Sequence, residues 1–159
     1  MCVSLPSDAS AGATSAHGQS RVDFNSMEVR VVPRKLISSG SYLEPEIGFS
    51  RAVRAGQIIV VSGTAPIAAA GSTAAPGDVS GQTVRCLEII GEAVAEAGGE
   101  IASIVRTRVM LTDISAWREA ARAHGEAFRK VRPACTFVQV SGFIDPTWLV
   151  EIEADCVIE

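Results

Sequence analysis

The chain has 159 residues, the length of one ordinary domain, and a globular part of this size buries roughly two-thirds of its unfolded surface without needing covalent staples. With 47% hydrophobic but only 5% aromatic residues, its core must be built from Ala, Val and Ile. The net charge of −4 argues against nonspecific nucleic-acid binding, which draws on clustered cations and phosphate neutralisation.

The basic residues are scattered. Their closest group, Arg129, Lys130 and Arg132, falls at an expected helix end, where cations complement the helix dipole. Cys2, Cys86, Cys135 and Cys156 show no CxxC spacing, and His17 and His124 are the only histidines, so neither a metal site nor another cofactor is expected. Unpaired thiols point to a reducing compartment and hence to the cytoplasm. No stretch approaches the ~20 apolar residues of a spanning helix, so no membrane partner is expected.

Residues 1–26 stand apart. Eleven of the first twenty are Ser, Ala or Gly, without apolar periodicity, a composition that cannot offset the entropy of ordering. A disordered tail is expected there, and no basic and apolar leader pattern follows Met1. Met27 is an alternative start, and the folded domain is placed in residues 27–159.

Residues 34–38 read as a short strand stopped by Ser39-Gly40. Residues 49–54 and 57–63 read as a hairpin turning at Ala55-Gly56, with a β-branched run from Ile58 to Val61. Residues 65–77, rich in Pro, Ala and Gly, read as a loop long enough to move. Asp78 is the expected N-cap of a helix reaching about Ala97. Leu87, Ile90, Val94 and Ala97 form its apolar stripe, and Gly98-Gly99 its left-handed stop. Residues 104–111 form a strand with Val105, Thr107, Val109 and Leu111 on one face. Ser115 is the expected cap of a second helix, on which Trp117, Ala121, His124 and Phe128 share a face, Trp117 and Phe128 as core anchors. It ends before Pro133. Residues 135–141 alternate, 142–146 turn, and from Trp148 the period of two is strict. Trp148, Val150, Ile152, Ala154 and Cys156 lie on one face, with Glu151, Glu153 and Asp155 on the other.

The order β-β-β-α-β-α-β-β defines an α+β fold. Two helices cover one face of a six-stranded sheet and leave the other for a partner, and the apolar residues on both faces of strands 105–111 and 135–140 suggest another subunit.

Several segments, in order and at similar spacing, are similar to the RidA/YjgF family of reactive-intermediate deaminases, also called endoribonuclease L-PSP. Ile47-Gly48-Phe49-Ser50-Arg51-Ala52-Val53 resembles the family's G-P-Y-S-Q-A segment. Ala55-Gly56 with Ile59-Val60-Val61-Ser62-Gly63-Thr64-Ala65-Pro66 resembles its A-G…V-S-G-Q-x-P stretch. Asp78-Val79-Ser80-Gly81-Gln82-Thr83, Glu96-Ala97-Gly98-Gly99, the strand ending Leu111-Thr112-Asp113, Glu126-Ala127-Phe128, Arg132-Pro133-Ala134 and Leu149-Val150-Glu151-Ile152-Glu153-Ala154 continue the series. The resemblance implies a chorismate-mutase-like fold, and a homotrimer whose sheets form a central barrel with small-molecule pockets in the clefts between subunits.

It also implies site residues. The deaminases bind a 2-imino acid's carboxylate through an arginine after Pro-Ala, and that position is Cys135 here. The family's tyrosine, the glutamine of S-G-Q and an asparagine of the second helix correspond to Phe49, Thr64 and Arg122. Glu151, the water-positioning glutamate, is kept, as are Ser62, Gly63 and Thr136. Glu151 and Cys135 are thus the candidate catalytic residues, and Phe49, Arg51, Ser62, Gly63, Thr64 and Thr136 the substrate-binding set. Each has a plainer reading: Cys135 as a buried thiol, Glu151 as one of three solvated acids, Arg51 as a surface cation, His124 as a core histidine. Arg51 shares a strand face with Phe49, which makes it a cation from a different strand. Without the anchoring guanidinium, worth roughly 1.5–3 kcal/mol in a charge-assisted bond, ordinary 2-iminobutanoate hydrolysis is not expected. Two readings stay open. One is a hydrolase of a small imine, enamine or carbonyl compound. The other is a trimer that binds metabolites or protects proteins without turnover. Ribonuclease activity conflicts with the acidic charge.

Overall fold

A computed structural model describes residues 33–159, so the expectations for residues 1–26 fall outside the described part. Strand β1 (Arg34–Ile37) is followed by a one-turn helix α1 (Leu43–Ile47), then by β2 (Ala52–Ala55) and β3 (Ile58–Thr64). Helix α2 (Val79–Glu96), β4 (Ile104–Leu111), α3 (Trp117–Phe128), β5 (Ala134–Gln139) and β6 (Val150–Val157) complete the chain. The six strands form one sheet in the order β1-β2-β3-β6-β4-β5. Neighbours run antiparallel except β4 and β5, which are parallel.

The strict alternation at the end of the chain sets the layers. Val150, Ile152, Ala154 and Cys156 are all fully buried, and they meet Ile59 and Val61 of β3, Val109 and Leu111 of β4, and Cys86, Ile90 and Val94 of α2. The core is aliphatic, as the composition requires. The opposite face of β3–β6–β4–β5 carries Glu151, Glu153 and Asp155 beside exposed Ile58, Val60, Val105 and Val138.

Several local expectations need correction. Asp78 holds the N-cap position with extended backbone, but its carboxylate makes no capping bond. Ser115 does not cap the second helix. Asp113 instead accepts from the Ser115 amide at 2.8 Å and starts a 3-10 turn, Ile114–Ala116, ahead of α3. The buried stripe of α3 is Ala120, Ala123, His124 and Phe128; Trp117 is 39% exposed, under the Arg118 guanidinium. On β4 a register shift between Ile104 and Arg106 puts Ile104 in the core and turns Val105 outward. The last two strands are not neighbours, because β6 inserts between β3 and β4 and leaves β5 at the edge.

Loop 65–77 is tied down rather than free. Ala74 N–H donates to Pro66 O at 2.7 Å, Arg85 Nε donates to Ile67 O at 2.8 Å, and the Thr73 and Thr147 hydroxyls meet at 2.6 Å. Gln82, fully buried on α2, joins loop 65–77 to the segment before β6: its Nε2 lies 3.5 Å from Ala75 O and donates to Thr147 O at 3.0 Å, and its Oε1 accepts from Leu149 N–H at 2.7 Å. Gln82→Ala strands both backbone groups, so a loss of about 1–3 kcal/mol in urea unfolding is expected. A loss within about 0.5 kcal/mol, the usual range for a surface change, would show that this clamp does not hold the loops.

Candidate functional site

A defect in β3 assembles the site. The β3–β6 register shifts between Val61 and Thr64, around a Ser62-Gly63 pair, and such a bulge releases backbone groups from the ladder. Arg51, just ahead of β2, takes them up. Its Nη1 donates to Gly63 O at 2.7 Å and to Thr64 Oγ1 at 3.0 Å, and lies 3.4 Å from Ser62 O. Thr64 Oγ1 donates onward to Ser62 O at 2.9 Å, and Ser62 Oγ donates to Ser50 O at 2.5 Å. The guanidinium carbon lies 6.0 Å from the centre of the half-buried Phe49 ring, at the outer reach of a cation–π contact. Arg51 Nε is buried and has no hydrogen-bond partner among the described residues.

Glu151 projects from β6 onto the open face beside this bulge. A Cβ added to Gly63 would sit 2.8 Å from Glu151 Oε2, so glycine makes room for the carboxylate. The three acids of β6 differ in their partners. Arg108 of β4 reaches Glu153 at 3.1 Å and Asp155 at 3.2 Å, whereas no cation pairs with Glu151 within 4.0 Å among the described residues. Burial pushes the Glu151 carboxyl above its usual range, Arg51 pulls it partly back, and Glu153 adds to the rise. Burial likewise pulls the Arg51 pKa down, while Glu44 and Glu151 hold it up.

Glu44 of α1 is the further member that sequence reading missed. Its carboxylate accepts from the Ser39 amide and hydroxyl, each at 2.7 Å, and from the Ser38 hydroxyl at 2.5 Å. Burial raises its pKa, but these bonds and Arg51 outweigh that and leave it below the usual carboxylate value. The available signal was the Ser38-Ser39 pair ahead of an acidic first turn, a local hydrogen-bonding pattern that carries no apolar periodicity.

The single chain therefore gathers Phe49, Arg51, Ser62, Gly63, Thr64 and Glu151. It does not bring Cys135 and Thr136 to them. Both lie on edge strand β5, which is separated from β6 by β4. Cys135 pairs with Thr107 and so lies on the helix side of the sheet with Phe137, whose ring meets Trp117 and His124. Thr136 pairs with Arg108 and shares the open face with Glu151. Arg122 lines a groove of about 500 Å³ at the end of α3, with Arg129 and Arg132, on the helix side. His124 is a core histidine: its Nε2 is 2.8 Å from Thr107 Oγ1, and burial lowers its pKa. Cys86 and Cys156 are fully buried, and burial pushes both thiols up, Cys156 to about 11, leaving Cys135 as the exposed thiol among the described cysteines.

A mixed six-stranded sheet with two helices on one face makes this an α+β protein of the chorismate-mutase-like type. The chain belongs to the RidA/YjgF family, whose model, described as Endoribonuclease L-PSP, matches residues 40–158. An uncharacterized protein of Streptomyces coelicolor is 40% identical over 119 residues, covering 75% of this chain and 88% of that one. The 3-aminoacrylate deaminase RutC of Acinetobacter baylyi is 29% identical over 121 residues, 76% and 95% of the two chains. The crystal structure of a Mycobacterium tuberculosis member of the YjgF/YER057c/UK114 family superposes with a TM-score of 0.72 at 43% identity, covering 79% of this chain and all of that one. No helix among the described residues is long and apolar enough to cross a membrane.

Proposed function

We propose that this protein hydrolyses a small imine, or an enamine through its imine tautomer, in clefts between the subunits of a homotrimer. The observation that carries the reading is Glu151: of the three acids on its strand it alone lacks an ion pair among the described residues, and burial raises its pKa toward the range that suits a general base. Glu151 takes a proton from water as the oxygen adds to the imine carbon. The proton passes to nitrogen to give the carbinolamine, whose hydroxyl proton then moves to nitrogen as the C–N bond breaks, so that one imine and one water give one carbonyl compound and one ammonia.

The trimer accounts for Cys135 and Thr136. Each protomer holds Glu151 and Phe49 at one part of the sheet and β5 at an edge, so a cleft between copies is completed by β5 of the neighbour. The exposed Val60, Val105 and Val138 of the open face are the apolar surface that such a contact needs. With a thiol where the deaminases keep an arginine, and with the Ser62 and Thr64 hydroxyls already bonded within the chain, the cleft suits a ligand without a free α-carboxylate. The named activity of the A. baylyi relative supports enamine chemistry.

Ammonia release from a panel of imines and enamines, with sedimentation of the same sample, tests the proposal. Acceleration is expected for uncharged members and little for 2-iminobutanoate, by a trimer. A monomer, or family-like rates on 2-iminobutanoate, would overturn it. No acceleration on any member would favour a binding trimer without turnover.

A further inference from the structure

Arg51 is more than a surface cation, because part of its guanidinium is committed within the chain. The Nη1 edge is taken by Gly63 O and Thr64 Oγ1, and Nε is shielded from solvent. What the guanidinium does face is the bulge whose other side abuts Glu151: the Gly63 carbonyl receives Arg51 while the space a Gly63 side chain would occupy holds Glu151 Oε2. The two groups are therefore coupled across a single glycine.

We infer that Arg51 is a positioning residue for Glu151, fixing the bulge against which the carboxylate rests and keeping that carboxylate ionised so that it can take a proton from water. This rests on the hydrolase reading for its use, but not for its physics. The charged and titratable groups around Glu151 are few. Arg51 acts from the β1–β2 segment and Glu153 from its own strand; Glu44 bears on Arg51, buried Cys86 of α2 feels the charge of Glu151, and Arg108 on β4 is committed to Glu153 and Asp155. Met110 stands directly opposite Glu151 and carries no charge. Among the described residues, Arg51 is thus the cation that favours the ionised form.

The alternative is that Arg51 only braces the bulge. Carbon-13 NMR titration of glutamate-labelled full-length protein separates the two and needs no substrate. In Arg51→Met, Glu151 should titrate at higher pH than in the native protein, while Arg51→Lys, which keeps the charge but loses the fork, should bring the titration point back toward native. An unmoved Glu151 titration in a folded Arg51→Met protein would leave Arg51 at most a brace for the bulge and overturn the inference. If Arg51→Met does not fold, the lysine variant decides: with the bulge disturbed but the charge kept, a native-like titration point supports the inference and a raised one overturns it. On any substrate found, the acid limb of kcat/KM should move upward with the NMR titration point. If the native protein turns over nothing, the titration still tests the coupling of Arg51 to Glu151, so the two ideas fail by different measurements.

Discussion

Glu151→Gln is expected to slow imine hydrolysis by about 10²- to 10⁴-fold, the usual worth of a positioned general base. Glutamine keeps the size of the side chain and its place beside Gly63, but it offers no site for the water proton. The variant should fold, and its stability near neutral pH should equal or exceed the native value. The sign follows from the direction of the shift. A carboxyl raised above its ordinary value contributes stability below that value and loses it as pH rises through the folded pKa, so at pH 7 the charge of Glu151 is a cost that glutamine removes. Active sites commonly keep groups that lower stability. Unchanged turnover in a folded Glu151→Gln protein would remove Glu151 from the chemistry. A fall in rate together with a fall in melting temperature would mean that the carboxylate was structural.

Gly63→Ala probes the same point from the other strand. Its Cβ would press on Glu151 Oε2, the far end of a flexible side chain, so the carboxylate gives way before the backbone does. Position rather than charge is what this change disturbs.

The parts of the structure that were legible in the sequence are those fixed by short-range pattern. The alternation of residues 150–156 separates core from open face because a period of two leaves no other choice, and the buried Val150, Ile152, Ala154 and Cys156 follow it without exception. The stripe of α2 and its stop at Gly98, where φ is +90°, are equally local. Strand neighbours are another matter. Alternation tells which face a residue occupies but not which strand lies beside it, so the insertion of β6 between β3 and β4 was hidden. The bulge at Ile104 and Arg106 turned Val105 outward against its apparent register. Helix α1 buries none of its residues, so it leaves no periodic trace.

The site was legible to the same degree. The pattern showed Glu151 as one of a row of three acids, and family resemblance singled it out. The physical reason it differs from Glu153 and Asp155 is Arg108, on a strand more than forty residues earlier. A glycine within the strand at 63 hinted at a bulge. Which cation would fill that bulge depends on how β2 folds back against β3.

Ile152→Ala is expected to cost about 2–5 kcal/mol, the range for large-to-small changes in cores. The side chain is fully buried on the strand that joins β3 to β4, where Ile152 pairs with Thr64 on one side and Val109 on the other. Removing three carbons forfeits roughly 2.4 kcal/mol at about 0.8 kcal/mol per methylene, before any cavity term. The neighbours cannot close the gap, because Val61, Val109, Val150 and Ala154 are short side chains held in paired strands. Ile152→Val should cost only about 0.5–1.5 kcal/mol and keep activity. Urea unfolding at one fixed protein concentration measures both, with an unchanged slope showing that the same surface is exposed. Repeating Ile152→Ala at higher concentration then separates packing from assembly. The proposed trimer would add a term that grows with concentration, whereas a cavity inside one chain costs the same at every dilution, so a deficit that closes on concentration would place Ile152 in the support of that proposed interface rather than in the core alone.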